Sequence, residues 1–175
     1  MDARLYHLQG KAEYVTDLVA TLQDFYRDKL TALQRHVSGA EHVAQYDFNN
    51  AYQYIVNRDE AQLSWVGNAL EELGGRLPEV AAGGRDIRGS ADAIARTTFE
   101  EDARDAQALV DRWRPRVAAM TNARHAKMLN IILGEVLEQK RMFEQALAGR
   151  TDLLGRRAEQ LGPAIGSVLP TRWIE

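Results

Sequence analysis

Asp59, Glu60, Asp102, Glu135 and Glu138 are the residues of this 175-residue sequence whose types and spacing could do chemistry. They fall near the midpoints of three long helical stretches, so packing those helices together would bring the carboxylates to a common level. Oxygen donors grouped in that way suit iron or manganese, and open coordination positions would permit oxygen chemistry. Around them stand Lys29, His36, Gln62, His125, Gln139 and Lys140, which could bind or neutralise the same acids.

Four segments must position these groups. The first runs from about Gly10 to Val37, with Val15, Leu18, Leu22, Phe25 and Leu33 at helical spacing, and Ser38-Gly39 reads as its stop. The second runs from about Ala40 to Leu73 through Phe48, Tyr52, Val56, Leu63, Val66 and Leu70, ending at Gly74-Gly75. Ser90 is the expected N-cap of the third, which continues to Pro115 or a little beyond, to about 118. Thr121-Asn122 caps the fourth, whose Leu129, Ile132, Val136, Phe143 and Leu147 lead to Gly149. Thr151 to Leu161 reads as a short C-terminal helix and Gly162 to Glu175 as an irregular tail. No strand pattern competes, so the expectation is one all-α domain over 1–175, a four-helix bundle with core helices at about 10–37, 40–73, 90–118 and 122–148.

Residues 74 to 90 are rich in glycine, including Gly83-Gly84, and form a connection of about 17 residues where bundle links usually have about 2–8. Extended, that length reaches about 56 Å, against about 45 Å for a 30-residue helix. A short, long, short pattern of links therefore permits a crossover that returns along the bundle, with an up-down-up-down arrangement as the alternative.

A wheel at about 100° per residue gives the inward groups. Segment two has Asp59 in the middle of its apolar stripe and Glu60 at its edge. Segment three directs Asp102 inward between Thr98, Leu109 and Trp113, flanked by Glu101 and Asp105. Segment four places His125 and Gln139 near the centre of its apolar face, Glu135 beside it and Glu138 at the rim. Segment one offers Lys29 and His36 inward and turns Gln23 and Asp24 away.

Glu135-Val136-Leu137-Glu138-Gln139-Lys140-Arg141-Met142-Phe143-Glu144 resembles the last metal-binding helix of ferritin-like and rubrerythrin-like proteins. Arg58-Asp59-Glu60-Ala61-Gln62-Leu63 resembles the corresponding part of their second helix. The resemblance covers about residues 10–148 as architecture, and it implies a one-crossover bundle whose inward acids Asp59, Glu60, Asp102, Glu135 and Glu138 would hold iron or manganese. The family pattern places a His three residues after each motif Glu. Here those places hold Leu63 after Glu60, Gln62 after Asp59 and Glu138 after Glu135, and segment one supplies no counterpart of the first Glu. The resemblance thus implies a ferritin-like scaffold with a degenerate di-iron motif, non-catalytic or weakly metal-binding. A divergent carboxylate-bridged oxidoreductase is one alternative, and a small-molecule or partner-binding bundle another.

The same acids have a structural reading. With segments three and four antiparallel about Thr121, Asp102 and Lys140 reach one level and would pair, while Gln62 and Gln139 would hydrogen-bond Asp59. His36 and His42 would meet His125 only in the up-down-up-down arrangement, as a zinc-type site would require.

Composition narrows the classes. There are no cysteines, which removes disulfides, thiolate metal sites and a Cys nucleophile. A net charge of -3 gives no general attraction to nucleic acid or anionic membrane, and the basic run Arg112-Trp113-Arg114-Pro115-Arg116 reads as a solvated helix end. No apolar stretch has the length of a membrane span, and the first residues lack a signal-peptide pattern, so the expected location is cytoplasmic, with neither nucleic acid nor membrane as partner. The glycine pairs lack phosphate-loop spacing. Trp65 and Tyr54 point away from the stripe of segment two, which leads to the expectation of a homodimer.

Overall fold

The computed structural model describes residues 3–81 and 85–155, with side chains from Val15 onward. Among these residues there are four helices and no strand: α1 (Ala3–His42), α2 (Tyr46–Glu72), α3 (Ala91–Ala118) and α4 (Ala123–Leu147). α1 packs on α2 and on α3, and α4 packs on α3 and on α2, leaving α1/α4 and α2/α3 as the diagonals.

The ties between helices give their directions. Along α1, Asp24, Asp28 and Arg35 meet Arg116, Arg112 and Glu101 of α3 in turn, so these two helices are antiparallel. Arg58 and Glu72 of α2 meet Glu135 and Arg124 of α4, again antiparallel. α2 and α3 therefore run the same way, and the segment between them crosses the length of the bundle. The up-down-up-down alternative, which makes α1 and α3 parallel, is excluded. His36 and His42 consequently lie toward one end and His125 at the other.

The helix ends follow local chemistry. Ser90 accepts from the Ala93 amide and Asn122 from the His125 amide, the expected N-caps. At the end of α2, Gly74 at φ 74° lets the Gly74 and Gly75 amides return to the Glu71 and Leu70 carbonyls, a Schellman closure that a residue with a Cβ resists. Pro115 lies inside the last turns of α3, which continues to Ala118.

Three boundaries differ from the sequence expectation, the first being the start of α1 at Ala3 rather than near Gly10. α1 does not stop at Ser38-Gly39 but continues to His42, because Gly39 serves as a packing residue: a Cβ there would lie 2.8 Å from the Tyr52 ring. α2 starts at Tyr46 rather than near Ala40, since the chain turns at 43–45 and Asn49 Nδ2 donates to the Ala40 carbonyl at the end of α1. Residues 151–155 form a turn; the rest of the expected C-terminal helix, the tail and Gly83-Gly84 lie outside the described residues.

The interior has two apolar clusters. Leu22, Phe25, Val66, Val110, Trp113 and Ile132 anchor one, with Phe25 set edge-on to Trp113 at 4.9 Å. Val43, Tyr52, Ile55, Phe99 and Phe143 anchor the other. Between the two lies a layer of buried polar groups.

Candidate functional site: a buried polar layer beneath a cavity

The polar layer is built on Asp59, fully buried at the middle of α2. Lys29 Nζ donates to its Oδ1 at 2.5 Å and Gln139 Nε2 to the same oxygen at 2.8 Å, while His36 Nδ1 lies 2.6 Å from Oδ2. Burial pushes the Asp59 carboxyl up, but the charges and hydrogen bonds of His36 and Lys29 outweigh it and hold the group down at about 2. Asp59 is therefore an ionised, acceptor-only group, and the proton on His36 must sit on Nδ1. Three helices contribute to this knot, which is why a lysine can be buried in it: removing the ammonium from water is compensated by a carboxylate in direct contact.

Asp102 on α3 forms a second knot. Tyr52 donates its hydroxyl to Oδ2 at 2.5 Å, and Arg85 reaches in from the crossover to bond Oδ1. Arg85 also donates to the carbonyls of Arg35 at 3.0 Å and Thr98 at 3.3 Å, pinning the crossover between α1 and α3. Burial, with Asp102 next, holds the Tyr52 phenol far above its ordinary range, so it remains a donor. Glu135 makes the third knot. Arg58 grips both its oxygens, at 3.0 and 2.5 Å, and Gln62 Nε2 donates at 2.6 Å.

The inward set was thus read correctly at Lys29, His36, Asp59, Asp102 and Gln139. Glu60 and Glu138, expected at its edge, are exposed instead, Glu138 paired with Arg141 on the surface. The expected Asp102–Lys140 pair does not form: Lys140 turns to Glu144 one helical turn on, and Asp102 is taken by Tyr52 and Arg85. Gln139 bonds Asp59 as anticipated, whereas Gln62 serves Glu135. Among the described residues no three His, Asp or Glu side chains come together in a group able to hold a metal ion, so Asp59, Glu60, Asp102, Glu135 and Glu138 do not converge on one point. In the basic run of α3, Arg112 and Trp113 Nε1 bond Asp28, and Arg116 pairs with Asp24 while lying over the Trp113 ring.

A cavity of about 430 Å³ opens between α1 and α3 above this layer. His36 and Gln139 line its inner side, with Lys29 and Asp102 fully buried just beneath, and Ala32, Ala106, Leu109 and Val136 contribute apolar wall. Alanines at facing positions on α1 and α3 make the space, and its volume is that of a small-molecule site. At the rim, Arg35 pairs with Asp105 at 2.7 Å and Arg112 with Asp28 at 2.9 Å. Arg85 and Tyr52 are among the residues that sequence reasoning missed, as is Arg58, which it gave no part in holding Glu135. Arg85 stands in a glycine-rich connection with no periodicity to orient it, and Tyr52 reads equally as core.

The chain is similar to a protein from Xanthomonas campestris pv. campestris whose crystal structure is known, with a TM-score of 0.54 and 18% identity over 78% of this chain and 92% of that one. A likeness at that identity bears on the fold alone. No protein-family model and no curated protein matches the chain. No helix among the described residues is long and apolar enough to cross a membrane. The all-α four-helix bundle with one long crossover is the architecture to which this chain belongs.

Proposed function

We propose that this protein is a small-molecule-binding helical bundle whose cavity between α1 and α3 is the binding site. The carrying observation is a cavity of ligand size lying over a polar cluster that the chain neutralises by itself. Each inward carboxylate has a cation of the same chain in direct contact: Lys29 on Asp59, Arg85 on Asp102, Arg58 on Glu135. The one-crossover topology supports a remote kinship with ferritin-like bundles, and in this reading lysine and arginine occupy the electrostatic role that iron or manganese has there. The interior acids hold the scaffold, and the open wall above them binds.

The test is mass spectrometry of an organic extract from protein purified without a metal-affinity tag, run beside the Ala32→Phe variant. A small organic molecule near one per chain in the wild type and missing from the variant is expected. Equal amounts in both, or iron or manganese near one per chain that disappears on Asp59→Asn, would overturn the reading.

A second copy of the chain is the partner that the α2–α4 face supports. Trp65 (39% exposed) lies under the Arg58 guanidinium, and Arg58 grips Glu135, one turn from Ile131 (48% exposed). Tyr54, four residues before Arg58, adds a third exposed apolar group (46%). Sedimentation should give a dimer that Trp65→Ser converts to monomer; a monomeric wild type would refute this.

A further inference from the structure

We propose that the α1–α3 cavity takes a neutral aromatic molecule with a phenol-type hydroxyl, which donates to Nε2 of His36; this rests on the reading of the cavity as a binding site. Charge limits the ligand first. At the rim Arg35 pairs with Asp105 and Arg112 with Asp28, and beneath the inner side Lys29 pairs with Asp59 and Arg85 with Asp102. A charged ligand entering here would have to break one of these pairs or remain unpaired in a low-dielectric space.

His36 then supplies the polar contact. It lines the cavity, and 7% of its side chain remains accessible. Its Nδ1 is turned to Asp59 at 2.6 Å, and the ring of Phe143 packs 5.6 Å from its own. The second ring nitrogen, Nε2, has no hydrogen-bond partner among the described residues, yet it is not one of the interior's sealed, unpartnered atoms, as both ring nitrogens of His125 are. Nε2 therefore keeps contact with the open space. The Lys29 ammonium and the Gln139 amide oxygen offer no such contact: Lys29 is 0% exposed, and that oxygen is sealed.

Asp59 also decides what Nε2 is. The ionised carboxylate accepts and cannot donate, so the first proton of the ring sits on Nδ1, and a ring with one proton presents a lone pair at Nε2. Lys29 already balances Asp59, so His36 with one proton leaves the buried layer neutral. A single open acceptor calls for a single donor. A phenol hydroxyl supplies one O–H, is neutral below a pKa of about 10, and is a stronger donor than an aliphatic alcohol because it is the stronger acid. A carboxamide or carboxylic acid would bring a carbonyl oxygen that finds no donor beside Nε2. Ala32, Ala106, Leu109 and Val136 offer the wall against which the aromatic ring packs.

The test is a protein-observed NMR titration at pH 8 with phenol, anisole, benzoate and benzylamine as probes at millimolar concentrations, followed on the backbone amides and on the ring nitrogens of His36. Phenol should move the amides around Ala32, Ala106 and His36 and bind about tenfold tighter than anisole, its methyl ether, the worth of one well-placed hydrogen bond. Benzoate and benzylamine should bind no better than anisole. The Nε2 resonance should be that of an unprotonated nitrogen, and phenol alone should shift it toward the hydrogen-bonded range. Ala32→Phe, which fills the wall one turn from His36, should abolish the binding of phenol and anisole alike. His36→Leu should lower phenol to the affinity of anisole while leaving anisole unchanged, a selectivity that a merely structural histidine would not alter. Should that variant not fold, the ratio of phenol to anisole and the Nε2 resonance of the wild type decide. Any of the other three probes binding as tightly as phenol, or a proton on Nε2 at pH 8, would overturn the hydroxyl inference and leave the cavity reading in place. Silence at the cavity with all four would overturn the cavity reading and this inference with it.

Discussion

Asp59 carries the interior. Removing Lys29 alone strands a buried carboxylate, so Lys29→Met should cost about 3–5 kcal/mol in urea unfolding, and Lys29→Met with Asp59→Leu should recover much of it. The acid behaviour has a definite sign. The folded carboxyl of Asp59 titrates at about 2, below its ordinary 3.8, so its contribution is present above about pH 4 and is lost as pH falls through about 2. The amount is on the order of 2 kcal/mol. Urea midpoints between pH 5 and pH 2 should fall more steeply for wild type than for Asp59→Asn. His125 gives the opposite case of an uncompensated group. Burial, aided by the Arg124 charge, lowers its pKa, and neither ring nitrogen meets a protein partner among the described residues. The folded ring takes up its proton at a lower pH than the unfolded one, so stability drops as pH falls below about 6.5. His125→Leu should raise stability by about 1 kcal/mol at pH 8, and by more at pH 5; equal gains at both would contradict this.

At the scale of elements, the close approach of α1 and α2 depends on Gly39. Gly39→Ala would press a methyl group on the Tyr52 ring, which is buried and tied to Asp102, and should cost about 1–3 kcal/mol by thermal unfolding. Helical periodicity made the four helices, the N-caps at Ser90 and Asn122, and the inward direction of Lys29, His36, Asp59, Asp102 and Gln139 legible. It could not distinguish Gly39 as a packing contact from Gly39 as a stop, since both need a missing side chain. It also placed Glu60, Glu138 and Lys140 too far inward, because a residue at the stripe edge is decided by the neighbouring helix rather than by its own. Arg85 was invisible for a different reason: what fixes it is a meeting of α1, α3 and the crossover that no local pattern encodes.

For the whole molecule, the length of the connection between α2 and α3 permitted a crossover, and the ion pairs that make α1 antiparallel to α3 require one. That topology sets three carboxylates at mid-bundle, gives each a cation from the chain, and leaves the α1–α3 seam wide enough for a ligand. The most direct measurement is a protein-observed NMR screen of small organic fragments, followed in the same sample by one equivalent of manganese(II), whose paramagnetism broadens nearby amides. The account predicts fragment-induced shifts concentrated on Ala32, Ala106 and Leu109 and no centred broadening around Asp59 and Glu135. Fragments that leave the cavity unchanged while manganese bleaches the amides around Asp59 and Glu135 would contradict it.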